Sequence, residues 1–184
     1  TSNTSLTTGT YFASSPTNAQ FTGFTSSGTG SSISIASNQM TLVRSGNGWG
    51  FVRGSAFSGP PSSLIIRFDF SNTSSGGATT SAIIFGVGGG TTNASNTTSL
   101  TNADIHSRLA INTTANSTEF VVRDMAGSTN GATTFSGTQT IYFVINNSGG
   151  ELTYRALDGS NESVGNDKFD VWVGTSKQLD ERSA

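Results

Sequence analysis

Short runs of β-branched and aromatic residues alternate with clusters of Gly, Ser, Thr and Asn along most of the chain. Such runs, bounded by turn-forming residues, predict β-strands. No stretch keeps apolar residues at helical spacing over three turns, so the pattern predicts almost no helix. About a dozen strands are expected, at Thr10–Ala13, Gln20–Phe24, Ser31–Ala36, Gln39–Arg44, Gly48–Arg53, Ser63–Ser71, Ser81–Val87, Ser107–Asn112, Glu119–Asp124, Gln139–Asn146, Leu152–Leu157 and Lys168–Val173.

Several of these runs alternate strictly between apolar and polar residues, which separates a buried face from an outer face. In the run from Leu64 to Phe70, every second residue is apolar and faces inward, while Arg67 and Asp69 face outward. The same parity places Tyr142, Arg123, Lys168, Asp170 and Trp172 on outer faces. We therefore expect an all-β, antiparallel two-sheet β-sandwich. It forms a single domain over 1–184, with 1–8 and 175–184 extended or flexible.

Composition narrows the classes of function. The 184 residues carry a formal net charge of −2, and only 11% of them are charged. This balance lacks the basic surface of a nucleic-acid-binding protein. The absence of cysteine excludes disulfides and thiol catalysis. No apolar run is long enough for a membrane-spanning helix, so we expect neither membrane insertion nor a nucleic-acid partner.

Candidate catalytic groups are sparse. His106 is the only histidine, and the acidic residues lie singly on different predicted strands. Glycoside hydrolysis requires a pair of carboxyl groups, and no local cluster of them indicates one. We therefore predict no catalytic residues, no enzymatic activity and no cofactor. Structural calcium is a weaker alternative at Asp158–Asn161 and Asn166–Asp167, where the turn interpretation is stronger.

The remaining constellation is the polar outer face of the predicted sheets. Aromatic rings pack against sugar C–H groups, and planar Arg and Asp side chains hydrogen-bond sugar hydroxyls. The candidate ligand-binding residues are Arg67, Asp69, Arg108, Arg123, Tyr142, Arg155, Asp170, Trp172 and, separately, the glycine-flanked Trp49. The alternative is a solvated face on which Arg and Asp pair across strands.

Three segments carry a resemblance to a known group of proteins: Ser45–Arg53, Arg123–Gly127 and Asn166–Gly174. Together they resemble modules of large secreted proteins of Bacteroidota, which often end in a type IX secretion signal. The resemblance implies a jelly-roll or concanavalin-like β-sandwich. It also implies that the protein is secreted or displayed at the cell surface, where it contacts glycans or other adhesive partners. It supplies no catalytic residues.

Such a module is expected to end in an apolar strand, whereas the last residues, Lys177–Ala184, are polar. A missing closing strand would leave a sheet edge open to a strand from a neighbour. Thr1–Thr8 is a candidate donor with Leu6 as its apolar anchor. We thus expect a non-catalytic surface module for adhesion or polysaccharide recognition. The alternatives are a structural repeat or fibre subunit that binds copies of itself by strand donation and, more weakly, a polysaccharide-active enzyme.

Overall fold

The computed structural model contains fifteen strands and no helix among the residues that it describes. Those residues are 21, 23–26, 32–37, 39–43, 49–52, 61–73, 77–88 and 105–184. The chain divides into two compact units, one of 1–59 with 89–104 and one of 60–88 with 105–184. The predicted strand Thr10–Ala13 lies outside the described residues.

The first unit contains two antiparallel pairs. Strand β1 (Gly23–Ser26) pairs with β4 (Trp49–Val52), and β2 (Ser32–Ala36) pairs with β3 (Gln39–Val43). Each strand falls within or close to a segment that apolar runs predict, because these runs supply the β-branched and aromatic residues that strands favour.

The second unit contains two larger sheets. In the four-stranded sheet the order is β15-β14-β11-β5, and in the five-stranded sheet it is β10-β8-β7-β6, with β9 also paired to β8. The strands are β5 (Ser63–Phe70), β6 (Thr79–Val87), β7 (Ser107–Thr113), β8 (Glu119–Asp124), β9 (Thr129–Asn130), β10 (Phe135–Ser136), β11 (Gln139–Asn146), β14 (Lys168–Val173) and β15 (Ser176–Ser183). Every pairing in both sheets is antiparallel.

One core fills the space between these two sheets, and it is built from the alternating apolar residues. The five-stranded sheet contributes Leu109, Ile111, Phe120 and Val122, and the four-stranded sheet contributes Ile141, Phe143, Ile145, Phe169, Val171, Val173 and Leu179. Burying one such side chain contributes about 1.5–3 kcal/mol to folding, which makes this layer the main stabilising feature. The predicted antiparallel β-sandwich is confirmed in this unit.

The β15 side of the sandwich is closed. Backbone N–H of Thr133 donates to Gln178 Oε1 at 3.0 Å, and Arg182 Nε lies 4.0 Å from Asp124 Oδ2. The expectation that the closing strand is missing is therefore wrong. Strand β15 is that strand, and its one strongly apolar residue, Leu179, is fully buried. An edge strand with one solvated face needs few apolar residues, which is why a polar sequence can form it.

A separate hairpin covers part of the outer face of the four-stranded sheet. It consists of β12 (Leu152–Arg155) and β13 (Asn161–Val164). Its inward residues Tyr154 and Val164 pack with Val144 and Trp172 in a second, smaller cluster. The buried side chain of Asn146 holds the base of the hairpin, because its Nδ2 donates to Val164 O at 2.9 Å and to Gly150 O at 2.7 Å.

Candidate functional site

The predicted ligand-binding residues do not share one face. Arg67, Asp69, Tyr142, Asp170 and Trp172 lie on the outer face of the four-stranded sheet, since their apolar strand neighbours point into the core. Arg108 and Arg123 lie on the outer face of the five-stranded sheet. These are opposite sides of the sandwich, so the prediction of a single polar face is wrong for Arg108 and Arg123. Parity gives the face of a strand and not the sheet to which the strand belongs.

Trp49 belongs to β4 in the first unit, where it is paired with Ser26. Its side chain lies outside what the structure describes. Its role as a ligand-binding residue stays a prediction.

Asp170 and Trp172 do not form an accessible surface. Asp170 is 0% exposed and Trp172 is 4% exposed, because the hairpin of β12 and β13 lies over them. Their predicted orientation toward the outer side is correct, but their predicted availability to a ligand is wrong. The sequence pattern contains no sign that a hairpin covers this part of the sheet.

Beneath the hairpin, Asp170 is the centre of a hydrogen-bonded network. Tyr154 Oη donates to Asp170 Oδ2 at 2.6 Å, and the Trp172 indole donates to Tyr154 Oη at 2.9 Å. The backbone N–H of Glu181 donates to Asp170 Oδ1 at 2.7 Å. Both carboxylate oxygens are therefore engaged, as a buried charge requires. This arrangement fixes the hairpin and β15 to the sheet.

Lys177 supplies the positive charge of this network. Its Nζ lies 3.3 Å from Asp170 Oδ2, 2.8 Å from Glu162 Oε2 and 2.8 Å from Asp180 Oδ1. Nζ also lies 5.4 Å from the centre of the Trp172 ring, within the range of a cation–π interaction. Partial burial disfavours the ammonium charge, but the hydrogen bonds to Asp180 and Glu162 and the charge of Asp170 outweigh it and raise the pKa of Lys177.

Burial and the hydrogen bond to Asp170 raise the pKa of Tyr154, so this phenol stays protonated as a donor. Sequence reasoning did not single out Tyr154, Lys177 or Glu162. Tyr154 carried a usable signal, because it alternates with Leu152 on a predicted strand. No sequence pattern links Lys177 to Glu162, since the two come together only when the hairpin folds onto the sheet.

A second ion pair joins Lys168 Nζ and Glu181 Oε2 at 2.9 Å. Its contribution to the free energy of unfolding can be tested by lowering the pH. The hydrogen bond from Lys168 lowers the pKa of Glu181 in the folded state. Because the pKa of Glu181 is lower in the folded state, the unfolded chain binds more protons at acidic pH. The stabilisation that this ion pair gives to the folded state is therefore lost as pH falls below about 4.3. In urea unfolding from pH 6 to pH 3, we expect Glu181→Gln to show a shallower acid-induced loss than the wild type. Parallel curves would contradict the assignment.

A second set of predicted residues is brought together beside the hairpin. We call Arg67, Asp69, Tyr142 and the backbone carbonyl of Arg155 the Tyr142 surface. The Arg155 side chain points away from the sheet, because its neighbour Tyr154 points toward it. Arg67 lies directly opposite Tyr142 on the neighbouring strand, and Tyr142 Oη donates to the backbone carbonyl of Arg155 at 3.4 Å. Arg67, Asp69 and Arg155 are exposed, and Tyr142 is partly exposed.

Hydrogen bonds orient side chains on the Tyr142 surface and on the hairpin beside it. Thr140 Oγ1 donates to Asp69 Oδ1 at 2.6 Å, which fixes the carboxylate on the sheet. Arg155 Nη1 donates to Asn161 Oδ1 at 3.2 Å across the hairpin. The surface therefore combines one aromatic ring with a donor and an acceptor beside it.

The remaining candidate residues are those of the predicted calcium-binding turn and His106. Asp158 Oδ1 accepts hydrogen bonds from Ser160 N at 2.8 Å and Ser160 Oγ at 2.7 Å, which fits the turn interpretation. Within the described ranges, no group of three acidic or histidine side chains is arranged to hold a metal. His106 Nε2 is buried and has no hydrogen-bond partner among the residues that the structure describes. No helix in the described part of the chain has the length and apolar character needed to cross a membrane.

Comparison with protein-family models, with curated proteins and with solved structures finds no match to this chain in any of the three. The resemblance to secreted Bacteroidota modules thus gains no support from relatives and stays a prediction. The second unit is therefore a β-sandwich, and its candidate functional site is the Tyr142 surface.

Proposed function

We propose that this chain is a non-catalytic, secreted or surface-exposed module that recognises polysaccharide, with the Tyr142 surface as its contact. The observation that carries the proposal is the placement of the partly exposed Tyr142 ring directly opposite the exposed Arg67, on the outer sheet face that also carries Asp69. An aromatic ring offers an apolar platform for the C–H face of a sugar, and charged planar groups beside it hydrogen-bond the hydroxyls.

Two further features support this assignment. The floor of the surface is a sheet and not a loop, so its side chains are held in fixed positions before a ligand arrives. The surface also carries charges of both signs, Arg67 against Asp69, so it does not select strongly for an anion. A neutral or weakly charged polysaccharide is the ligand class that fits.

Binding to a panel of immobilised polysaccharides tests the proposal. We expect Tyr142→Ala to weaken binding of the best ligand by about tenfold or more, because stacking on one aromatic ring contributes roughly 1–3 kcal/mol in comparable platforms. Arg67→Ala is expected to weaken it less, since the exposed Arg67 side chain supplies hydrogen bonds only.

The matched control is Arg123→Ala, which removes an arginine from the opposite face of the sandwich. It is expected to leave polysaccharide binding unchanged. Equal losses in Arg123→Ala and Arg67→Ala would overturn the assignment to the Tyr142 surface. Release of reducing ends from any polysaccharide of the panel would show an enzyme instead of a binding module.

A further inference from the structure

Strand β5 presents an unpaired edge among the described strands, since β11 is its one partner there. The backbone N–H of Asn147 donates to Ser62 O at 2.7 Å, in the register that β5 and β11 share. Because antiparallel strands alternate the side to which N–H and C=O point, the even-numbered residues of β5 bond to β11. The N–H and C=O groups of Ile65, Arg67 and Asp69 therefore point away from the sheet.

Among the described residues, the inward side chains are also less buried on this side of the core. Leu64, Ile66, Phe68 and Phe70 face inward but are only partly buried, whereas the inward residues of β11 are fully covered. On the outer face, Ile65 is 45% exposed. A strand added to this edge would cover all of these side chains.

The neighbouring edge, of β6 in the other sheet, differs. Its ladder with β7 shifts register between Thr79 and Ile83, and Ser81 has a φ of 53° in the left-handed region. Bulges of this kind twist an edge and obstruct strand addition. No register shift interrupts the pairing of β5 with β11, so β5 is the edge that can accept a partner.

The outward side chains of β5 identify that partner. When β5 is paired with a second copy of itself around a two-fold axis through Phe68, Arg67 of each copy lies opposite Asp69 of the other. Both oppositely charged pairs form at once, because a two-fold contact repeats every interaction. We infer that the chain forms a homodimer by antiparallel pairing of the two β5 strands in this register.

The register satisfies the other requirements of the edge. It joins residues of the same parity, so inward side chains stay inward and outward side chains stay outward. Arg67 and Asp69 would each exchange two backbone hydrogen bonds with the opposite residue, using the groups that point away from the sheet. The two four-stranded sheets would become one continuous eight-stranded sheet.

The dimer also places the two Tyr142 surfaces on the same side of that sheet. Three strand spacings separate the two copies of Tyr142, a distance of roughly 15 Å. The interface shares Arg67 and Asp69 with the Tyr142 surface but not Tyr142, which lies on β11, so the inference is argued and tested independently of polysaccharide recognition.

Analytical ultracentrifugation of the full chain over a concentration series tests the dimer. The wild type is expected to shift from monomer to dimer as concentration rises. R67D and D69R each convert two attractive pairs into two repulsive ones, so each is expected to weaken the dimer by about tenfold or more. A one-to-one mixture of R67D and D69R restores both attractive pairs and is expected to give a heterodimer of wild-type affinity.

The control is Arg155→Ala, which removes a neighbouring arginine outside the interface and is expected to leave the dimer intact. A wild type that stays monomeric at its highest soluble concentration would overturn the inference. So would a mixture that dimerises no better than either variant alone. The two proposals fail separately, since loss of polysaccharide binding in Tyr142→Ala leaves the ultracentrifugation result unchanged.

Discussion

Asp170→Ala is expected to destabilise the protein by about 3–5 kcal/mol, because it leaves two buried hydrogen-bond donors without an acceptor and opens a cavity beneath the hairpin. Asp170 is completely buried, and its carboxylate accepts hydrogen bonds from Tyr154 Oη and the N–H of Glu181. Without it, both donors are left unsatisfied beneath the hairpin, and Lys177 loses its one fully buried partner. Urea unfolding followed by intrinsic fluorescence measures the change, with Trp172 as a probe inside the network.

Asp180→Ala is the matched control, because Asp180 contacts the same Lys177 Nζ at 2.8 Å but its side chain is 66% exposed. Exposed ion pairs contribute about 0–1 kcal/mol, so its loss should stay within that range. If the two variants lose equal stability, Asp170 is not the centre of the network. Unchanged polysaccharide binding by folded Asp170→Ala would further separate this structural role from the Tyr142 surface.

The sequence pattern predicted the central strands well. The segments Glu119–Asp124, Gln139–Asn146 and Lys168–Val173 are strands with the predicted bounds. They are the strands whose inward residues fill the core, so packing requires an apolar residue at every second position of their central parts. Inward and outward faces could be assigned for the same reason.

Strands β13 and β15 could not be predicted in this way. Asn161–Val164 and Ser176–Ser183 each place a single strongly apolar residue in the buried layer, namely Val164 and Leu179. One apolar residue cannot establish a period. Their other side chains serve as polar partners, such as Glu162 for Lys177, and these contacts depend on the assembled fold.

The candidate site shows the same limit. Arg67, Asp69 and Tyr142 lie on one outer face, whereas Asp170 and Trp172 are covered and the Arg155 side chain points away from the sheet. The difference comes from the hairpin, which belongs to a different stretch of sequence from the strand that it covers. Alternation along one strand contains no information about what packs on its outer face.

Leu179→Ala is expected to destabilise the protein by about 2–5 kcal/mol, although it changes one residue in a polar C-terminal segment. Leu179 is 0% exposed and packs in the main core with residues of the adjacent β14. Truncation removes buried methyl groups and leaves a cavity that the rigid sheets cannot fully close. The free energy of unfolding from urea titration measures the effect.

Ile84→Ala is the matched control, since it removes the same number of carbon atoms from a side chain that is 51% exposed. We expect a loss below about 1 kcal/mol there, because the side chain gives up little buried surface. The comparison distinguishes a closing strand from a dispensable tail. If Leu179→Ala is no more destabilising than Ile84→Ala, the C-terminal segment does not complete the core, and the pairing of β15 with β14 is not formed in solution.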